Sequence, residues 1–314
     1  MIKILDVTLR DGGYRTNFHF SESHVKNIIS ALDTAAIDYI EVGYRGGSFK
    51  PLTNIGNTGN TTNEYLSFIK KHIPTAKLGV IYHPRNIQLQ EIEEMHNHGV
   101  NLLRCCFDIN NINYSLQLIK KAKILGLISC VNFTRISQFP QKKLLEYAEL
   151  SSNAGADVIY VADSNGSLLP NDVARIINAL KNITDLEIGF HAHNNLNLAL
   201  PNAIAAINSG ATFIDSSLRG MGKGAGNLST EFWVAYLINS KINTKYNLGI
   251  IFEAVEYLTN NLQDSAPNNS LLDMMSGSLD YSIDEQDKLH NINFRDFNAI
   301  LFNKSNKTFM DICL

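Results

Sequence analysis

LEIGFHAHNN, residues 186–195, begins as a short apolar run and ends on two histidines separated by one alanine. A run of this length bounded by polar residues reads as a buried strand, and in a strand residues i and i+2 share a face. Gly189, His191 and His193 therefore point one way, and Ile188, Phe190 and Ala192 the other. Directly after it, LPNAIAAINSG (200–210) has the spacing of an amphipathic helix closed by a glycine. The same pairing recurs along the chain. Strand candidates are 2–9, 39–44, 77–83, 101–108, 127–134, 157–163, 186–193 and 212–218, with helical stretches between them, several ending on a cap glycine (Gly99, Gly126, Gly155, Gly210). Eight such units, spaced by roughly 25–35 residues, predict a (β/α)8 (TIM) barrel of about 250 residues in the α/β class. A doubly wound open sheet is the alternative. The barrel is preferred because evenly sized units leave no obvious reversal of strand order.

The bulk properties agree with a large single core. The chain has 314 residues, 45% of them hydrophobic and 18% charged, enough to bury one. A net charge of −3 and the lack of any Lys/Arg run longer than two argue against nucleic acid as a partner. The N-terminal MIKILDVTLRDGG is too short in apolar residues for a signal peptide, and no 18-residue apolar run occurs, so a cytoplasmic protein without membrane contact is expected. Cys105, Cys106, Cys130 and Cys313 show no CxxC spacing and read as reduced thiols. The catalytic barrel is expected over 1–245. Residues 246–314 are expected to form a C-terminal helical or irregular appendage, with a helix at 250–263 and a polar, turn-rich stretch at 264–289.

If the barrel closes, the face carrying His191 and His193 looks into its mouth, where barrel enzymes build their sites. Two imidazoles there are poorly satisfied by hydrocarbon. Asp11 falls at the expected end of the first strand, and in an eight-stranded ring strand 7 is two places from strand 1. Two neutral histidines and a carboxylate make a metal site with open positions, suited to chelation by a 2-oxo acid. Arg10, beside Asp11, is placed to stabilise an enolate oxygen, and Glu41, in IEVGY, is its expected partner. RGMGKGAGN (219–227), after the eighth strand, is glycine-dense, which lets backbone approach a ligand closely.

Together DVTLRDGG (6–13), IEVGY (40–44), HAHNN (191–195) and GMGKGAGN (220–227) resemble the DRE-TIM metallolyase superfamily, nearest in pattern to the 4-hydroxy-2-oxovalerate aldolase branch, over about residues 1–235. The resemblance implies a divalent metal, Mn2+ or Mg2+, held by Asp11, His191 and His193, with Asn227 as a further ligand. It implies that Arg10 stabilises a metal-bound pyruvate enolate while Glu41 holds the arginine. The implied reaction makes or cleaves a C–C bond between a 2-oxo acid and an aldehyde. A Claisen-type acyl-CoA/2-oxo acid synthase and a catalytically idle metal-binding barrel are the alternatives. One departure stands out. The branch carries a base histidine three residues after the aspartate, and here that position is Tyr14. A phenol with a pKa near 10 is a poor base at neutral pH. His83, which ends the third strand candidate, and His19 are the possible replacements. Tyr281 is the candidate for a tyrosine contributed by the tail, but nothing around it specifically matches a segment that docks a partner aldehyde dehydrogenase. A homo-oligomer is left open.

Overall fold

The computed structural model describes residues 1–48, 53–243, 245–267, 270–290 and 292–311. Cys313 lies outside them. Eight parallel strands, β1 (Lys3–Asp6), β2 (Tyr39–Arg45), β3 (Lys77–Tyr82), β4 (Leu102–Cys106), β5 (Ile128–Phe133), β6 (Val158–Asp163), β7 (Glu187–Ala192) and β8 (Phe213–Ser216), pair in chain order. β8 returns to β1 in the register Lys3↔Phe213 to Asp6↔Ser216, which closes the ring. Helices α1 (Glu22–Thr34), α2 (Asn63–His72), α3 (Leu89–Asn97), α4 (Ile112–Ile124), α5 (Gln141–Asn153), α6 (Pro170–Lys181), α7 (Ala199–Asn208) and α8 (Thr230–Asn239) follow the strands in turn. The expected barrel is thus the observed one. The four cap glycines all take φ between 77° and 102°, a backbone region closed to most side chains.

The barrel wall sorts its residues by parity. Ile188, Phe190 and Ala192 pack outward into the core shared with the helices, together with Ile214 and Ile159. The inward set forms two layers. The lower one is apolar and includes Leu5, Tyr39, Leu102, Cys130, Tyr160 and Phe213. Two residues further along four of these strands the inward position becomes polar: Tyr39 gives way to Glu41, Leu102 to Arg104, Cys130 to Asn132 and Phe213 to Asp215, all buried. The hydrocarbon plug is the floor on which the polar layer stands, and it keeps water from reaching that layer from below.

Gly189 marks the join between layers. A Cβ there would sit 2.4 Å from Cε1 of Tyr160, whose ring is fully buried beneath the Arg104 guanidinium, 4.5 Å from its centroid. The ring has nowhere to go, so Gly189→Ala is expected to destabilise the fold by about 1–3 kcal/mol through overpacking. A urea midpoint equal to that of the parent would show that the layer is looser than described.

Two local expectations need correction, for β1 and for 264–289, and β2 adds an irregularity of its own. β1 ends at Asp6, not residue 9. The chain then turns tightly, with the N–H of Asp11 donating to the Val7 carbonyl at 2.8 Å, before a short 3-10 turn, Gly12–Arg15. Arg10 and Asp11 therefore stand on a turn above the strand, not at its end. In β2 the register shifts between Glu41 and Tyr44 at a bulge. Gly43 permits it: its φ is +155°, and a Cβ would meet the Thr58 carbonyl at 2.1 Å. Finally, 264–289 is not merely turn-rich. It holds α10 (Leu271–Leu279), opened by a reciprocal Ser270/Asp273 capping box, and a 3-10 stretch, Ile283–Leu289.

α9 (Leu248–Asn261) buries Ile251, Ala254 and Leu258 in the core beneath the helices, beside α1 and α8. α10 and the residues after it lie over the barrel mouth. Asp280, in a left-handed C-cap, accepts from Ser137 Oγ (2.7 Å), Asn165 Nδ2 (2.9 Å) and Ser167 Oγ (2.6 Å), tying this segment to the loops after β5 and β6. α11 (Phe294–Asp311) follows. Among the described residues no helix is long and apolar enough to cross a membrane, and Cys105, Cys106 and Cys130 are buried, unpaired thiols.

Candidate metal centre and substrate cavity

Asp11, His191 and His193 each bring one ligand atom to a point at the barrel mouth, all within 4.8 Å of one another. Nε2 of His191 and Nε2 of His193 face each other at 3.3 Å, and a carboxylate oxygen of Asp11 lies 3.9 Å from His193 Nε2. Two ring nitrogens and an oxygen converging on one spot are what a shared cation needs. Nδ1 of His191 lies 2.9 Å from Oδ2 of Asp215, on the neighbouring strand β8. A proton there fixes the tautomer and leaves Nε2 as the donor atom. Burial pushes His193 down to about 4, so its ring is neutral at ordinary pH.

The carboxylates are held charged. Burial alone would raise Asp11, but Arg10 and the two histidines overcome it and keep the group well below the usual carboxylate range. Asp215 is lowered too, the effect of burial being outweighed by Arg104 and His191. Arg10 donates through Nη1 to Asp11 (2.6 Å) and through Nε to Glu41 (2.6 Å). Arg104 grips both oxygens of Glu41 (2.8 and 2.7 Å) and reaches Asp215 through Nη1 (2.6 Å). The contacts form a closed circuit: Asp11, Arg10, Glu41, Arg104, Asp215, His191, His193 and back to Asp11. Its fixed charges are two arginines against three carboxylates, a net of −1 in a site almost without solvent. A buried negative balance of this kind suits a bound cation.

Asn227 supplies a further test of fit. It is 3% exposed, its Nδ2 donates to the Met221 carbonyl at 2.9 Å, and its Oδ1 has no hydrogen-bond partner. Its amide lies against the Asp11 carboxylate. The loop holds it there by a bridge pairing His193 with Asn227. Gly222 leaves room for it, since a Cβ at that position would fall 2.6 Å from the carboxamide. An orphaned, buried carbonyl oxygen beside a carboxylate and two imidazoles is a donor set for a divalent ion, so the residues present fit the group.

Tyr14 and His83, the candidates for proton transfer, both line a cavity of about 750 Å3 that opens from this centre. Burial raises Tyr14, whose OH lies 3.4 Å from that of Tyr44. It is neutral and holds no negative charge to accept a proton. His83 stacks on Tyr44 with ring centroids 5.9 Å apart and planes 10° off parallel. Burial, then Arg85 and Arg10, push it down to about 4, so its ring is uncharged across the neutral range. His19 is elsewhere, exposed and bonded to the Asn54 carbonyl at 2.7 Å. Tyr281 lines the cavity, as do Ile283 and Asp284 of the covering segment.

Arg104 and Asp215 were not singled out from the sequence. Their signal was there: each is a charged residue inside an apolar strand, NLLRCCFD and TFIDSSL, at the parity of the inward face. Simple strand alternation would place Tyr44 on the face opposite Glu41; the register shift between them lets both Glu41 and Tyr44 reach the mouth.

A closed (β/α)8 barrel with a carboxylate, two imidazoles and a buried arginine at its C-terminal mouth fits the class of metal-dependent carbon–carbon lyases. The chain belongs to the HMGL-like family, which it matches over residues 1–258. It is 36% identical over 264 residues to the 4-hydroxy-2-oxovalerate aldolase of Geobacillus genomosp. 3, covering 84% of this chain and 78% of that one. It is 38% identical over 256 residues to that of Geobacillus thermodenitrificans, covering 81% and 75%. Among solved structures it resembles the N-terminal domain of a candidate aldolase from Bacteroides vulgatus, with 30% identity, a TM-score of 0.81, and coverage of 94% of this chain and 98% of the other.

Proposed function

We propose that this protein is an aldolase that interconverts a 4-hydroxy-2-oxo acid with pyruvate and an aldehyde, using Mn2+ or Mg2+ held by Asp11, His191, His193 and Asn227. The observation that carries this reading is the charged circuit that places Arg10 beside the converging ligand atoms. When bound, the divalent ion supplies Lewis-acid polarisation of the 2-oxo group.

The protein's own residues do the rest. Glu41, itself gripped by Arg104, holds the Arg10 guanidinium, and Nη2, which makes no hydrogen bond among the described residues, is left to meet the negative charge that develops. That is preorganised stabilisation of an enolate oxygen. In the cleavage direction the C4 hydroxyl gives its proton to His83 and its electrons form the aldehyde C=O. The C3–C4 bonding pair becomes the enolate C=C, and charge gathers on the C2 oxygen opposite Arg10. Protonation at C3 then yields pyruvate and restores neutral His83, so atoms and electrons balance. Tyr14 positions the substrate as a neutral phenol. Glu41 acts through Arg10 and is a positioning residue.

The test is proton NMR of pyruvate in D2O with protein and Mn2+ or Mg2+, quenched and freed of metal before acquisition. Methyl protons are expected to exchange, and excess chelator to stop the exchange. Persistent, chelator-insensitive methyl signals would refute the enolate chemistry.

The base assignment predicts a pH profile. Tyr44, Arg10, Arg85 and Asp108 are among the groups facing His83. The acid limb of kcat/KM for cleavage should therefore fall near pH 4 to 5, not at the 6.5 of a free imidazole. His83→Gln should lower kcat by about 10²–10⁴-fold. The same ring contributes to stability with a fixed sign. Its folded pKa is depressed, so the unfolded chain binds more protons between pH 4 and 6.5, and stability should fall as pH drops through that window. A His83→Gln rate within threefold of the parent would remove His83 from the chemistry.

A further inference from the structure

Apart from Arg10 and Asp11 of the circuit, the charged side chains that line the cavity fall into two groups. The charges of Arg85 and Asp108 are both felt by His83, so they belong to its end of the cavity, and they cancel. Arg135 and Lys223 share one carboxylate, Asp284. Its Oδ2 is 3.2 Å from Nη2 of Arg135 and its Oδ1 is 3.9 Å from Nζ of Lys223. Among the described residues, two cations against one anion leave +1 in this second group. We propose that the excess charge is a receptor: the Lys223 ammonium takes the carboxylate of the 2-oxo acid, in a position that Asp284 otherwise occupies. The inference rests on the aldolase reading above, with His83 as its base.

Lys223 lies beside the reacting centre. Its backbone N–H is 3.4 Å from Oδ2 of Asp11, on the glycine-rich loop that also carries Asn227. Its ammonium stands over the Tyr14 ring, 5.4 Å from the centroid, and its charge is one of those that depress His193. Topology gives the direction. In a 2-oxo acid the carboxylate and C3 lie on opposite sides of C2. C3, with the C4 hydroxyl beyond it, must face His83, which follows β3, so the carboxylate points across the ring. In a ring of eight the strand opposite β3 is β7, and Lys223 follows β8, the next one. Asp284 reaches the same place from the covering segment, on the 3-10 stretch Ile283–Leu289. A protein carboxylate already stands near the ammonium, so charge and space there suit a second one. At 3.9 Å this pair is longer than a hydrogen bond, and Asp284 keeps Arg135 when a substrate takes Lys223. The Lys223 side chain is 35% exposed, so water screens the contact and its effect is moderate. At the His83 end, where the aldehyde leaves, the two charges cancel and call for no anionic group on that product.

The experiment follows pyruvate methyl exchange in D2O with Mg2+ against pyruvate concentration, a readout that needs no aldehyde. Lys223→Met should raise the half-saturating concentration by about tenfold, as loss of a charge-assisted hydrogen bond does. The larger part of the loss should fall on KM and the smaller part on kcat. Lys223→Arg should recover most of it. Asp284→Asn removes the competing carboxylate and should lower the half-saturating concentration. Saturation-transfer NMR with Mg2+ reads binding without turnover. The parent should prefer pyruvate to its uncharged methyl ester, and Lys223→Met should shrink that preference by the factor seen in KM. Half-saturation of Lys223→Met within twofold of the parent overturns the inference and leaves the aldolase reading standing. An equal rise in Asp284→Asn also overturns it, since the pair would then only hold the covering segment in place. So does a loss confined, in condensation with pyruvate, to aldehydes that carry a carboxylate. Absence of methyl exchange in the parent overturns both readings.

Discussion

His191→Ala should leave a folded barrel that no longer retains a divalent ion and has lost on the order of 10³-fold in kcat/KM. The reasoning is local. Nε2 of His191 is one of three atoms that converge within 4.8 Å, and the ring is held in place by Asp215. Lewis-acid stabilisation of developing charge contributes several kcal/mol, and about 4 kcal/mol corresponds to about 10³-fold. The fold should survive because Asp215 keeps its ion pair with Arg104 at 2.6 Å. Asp215→Asn is the graded companion. It removes the group that orients His191 but not the ligand itself, and should weaken metal affinity by about 10–100-fold. Metal content after gel filtration, measured with the thermal midpoint in the presence and absence of ion, separates the two variants. A His191→Ala protein that keeps one bound ion per chain would disprove the ligand assignment.

Glu41→Gln should damage stability and activity together. The carboxylate is fully buried and accepts three hydrogen bonds, one from Arg10 and two from Arg104. A carboxamide removes the charge between two buried guanidiniums and turns an NH2 group toward a donor. Breaking a buried pair in this way costs about 3–5 kcal/mol. The expected signature is a lower urea midpoint at unchanged slope. Arg10, freed from its clamp, should lose the aim of Nη2, with kcat down by about 10²–10³-fold while KM changes little. Stability of Glu41→Gln within 1 kcal/mol of the parent would mean that water, not protein, solvates this layer.

Why some of this was readable from the chain and some was not follows from the range of the interactions. The strand of His191 and His193, the face they share, the inward direction of Glu41 and the cap glycines all come from periods of two and 3.6 residues, which a short window contains. The pairing of Arg10 with Glu41 spans 31 residues but needed only two neighbouring strands to be recognised. Tyr281 was flagged without a reason; its place in the cavity depends on Asp280 locking onto the loops after β5 and β6, more than 110 residues away. Tyr44 owes its direction to a bulge made possible by Gly43, which breaks the alternation that local reading assumes.

From its sequence alone, then, the chain determines eight strand–helix units and the residue types, a carboxylate, an arginine and two imidazoles, that its motifs bring to the ends of the first and seventh strands. Only the tertiary structure decided that the eight strands close into a ring, that Arg10 and Asp11 sit on a turn past a short β1, that Arg104 and Asp215, 111 residues apart, complete the charged circuit, and that a C-terminal segment lines the cavity at the mouth. The reason is physical. Which face a side chain takes is set by its immediate neighbours, whereas which charges meet is set by strand order and tilt around a closed ring, and these belong to the whole chain.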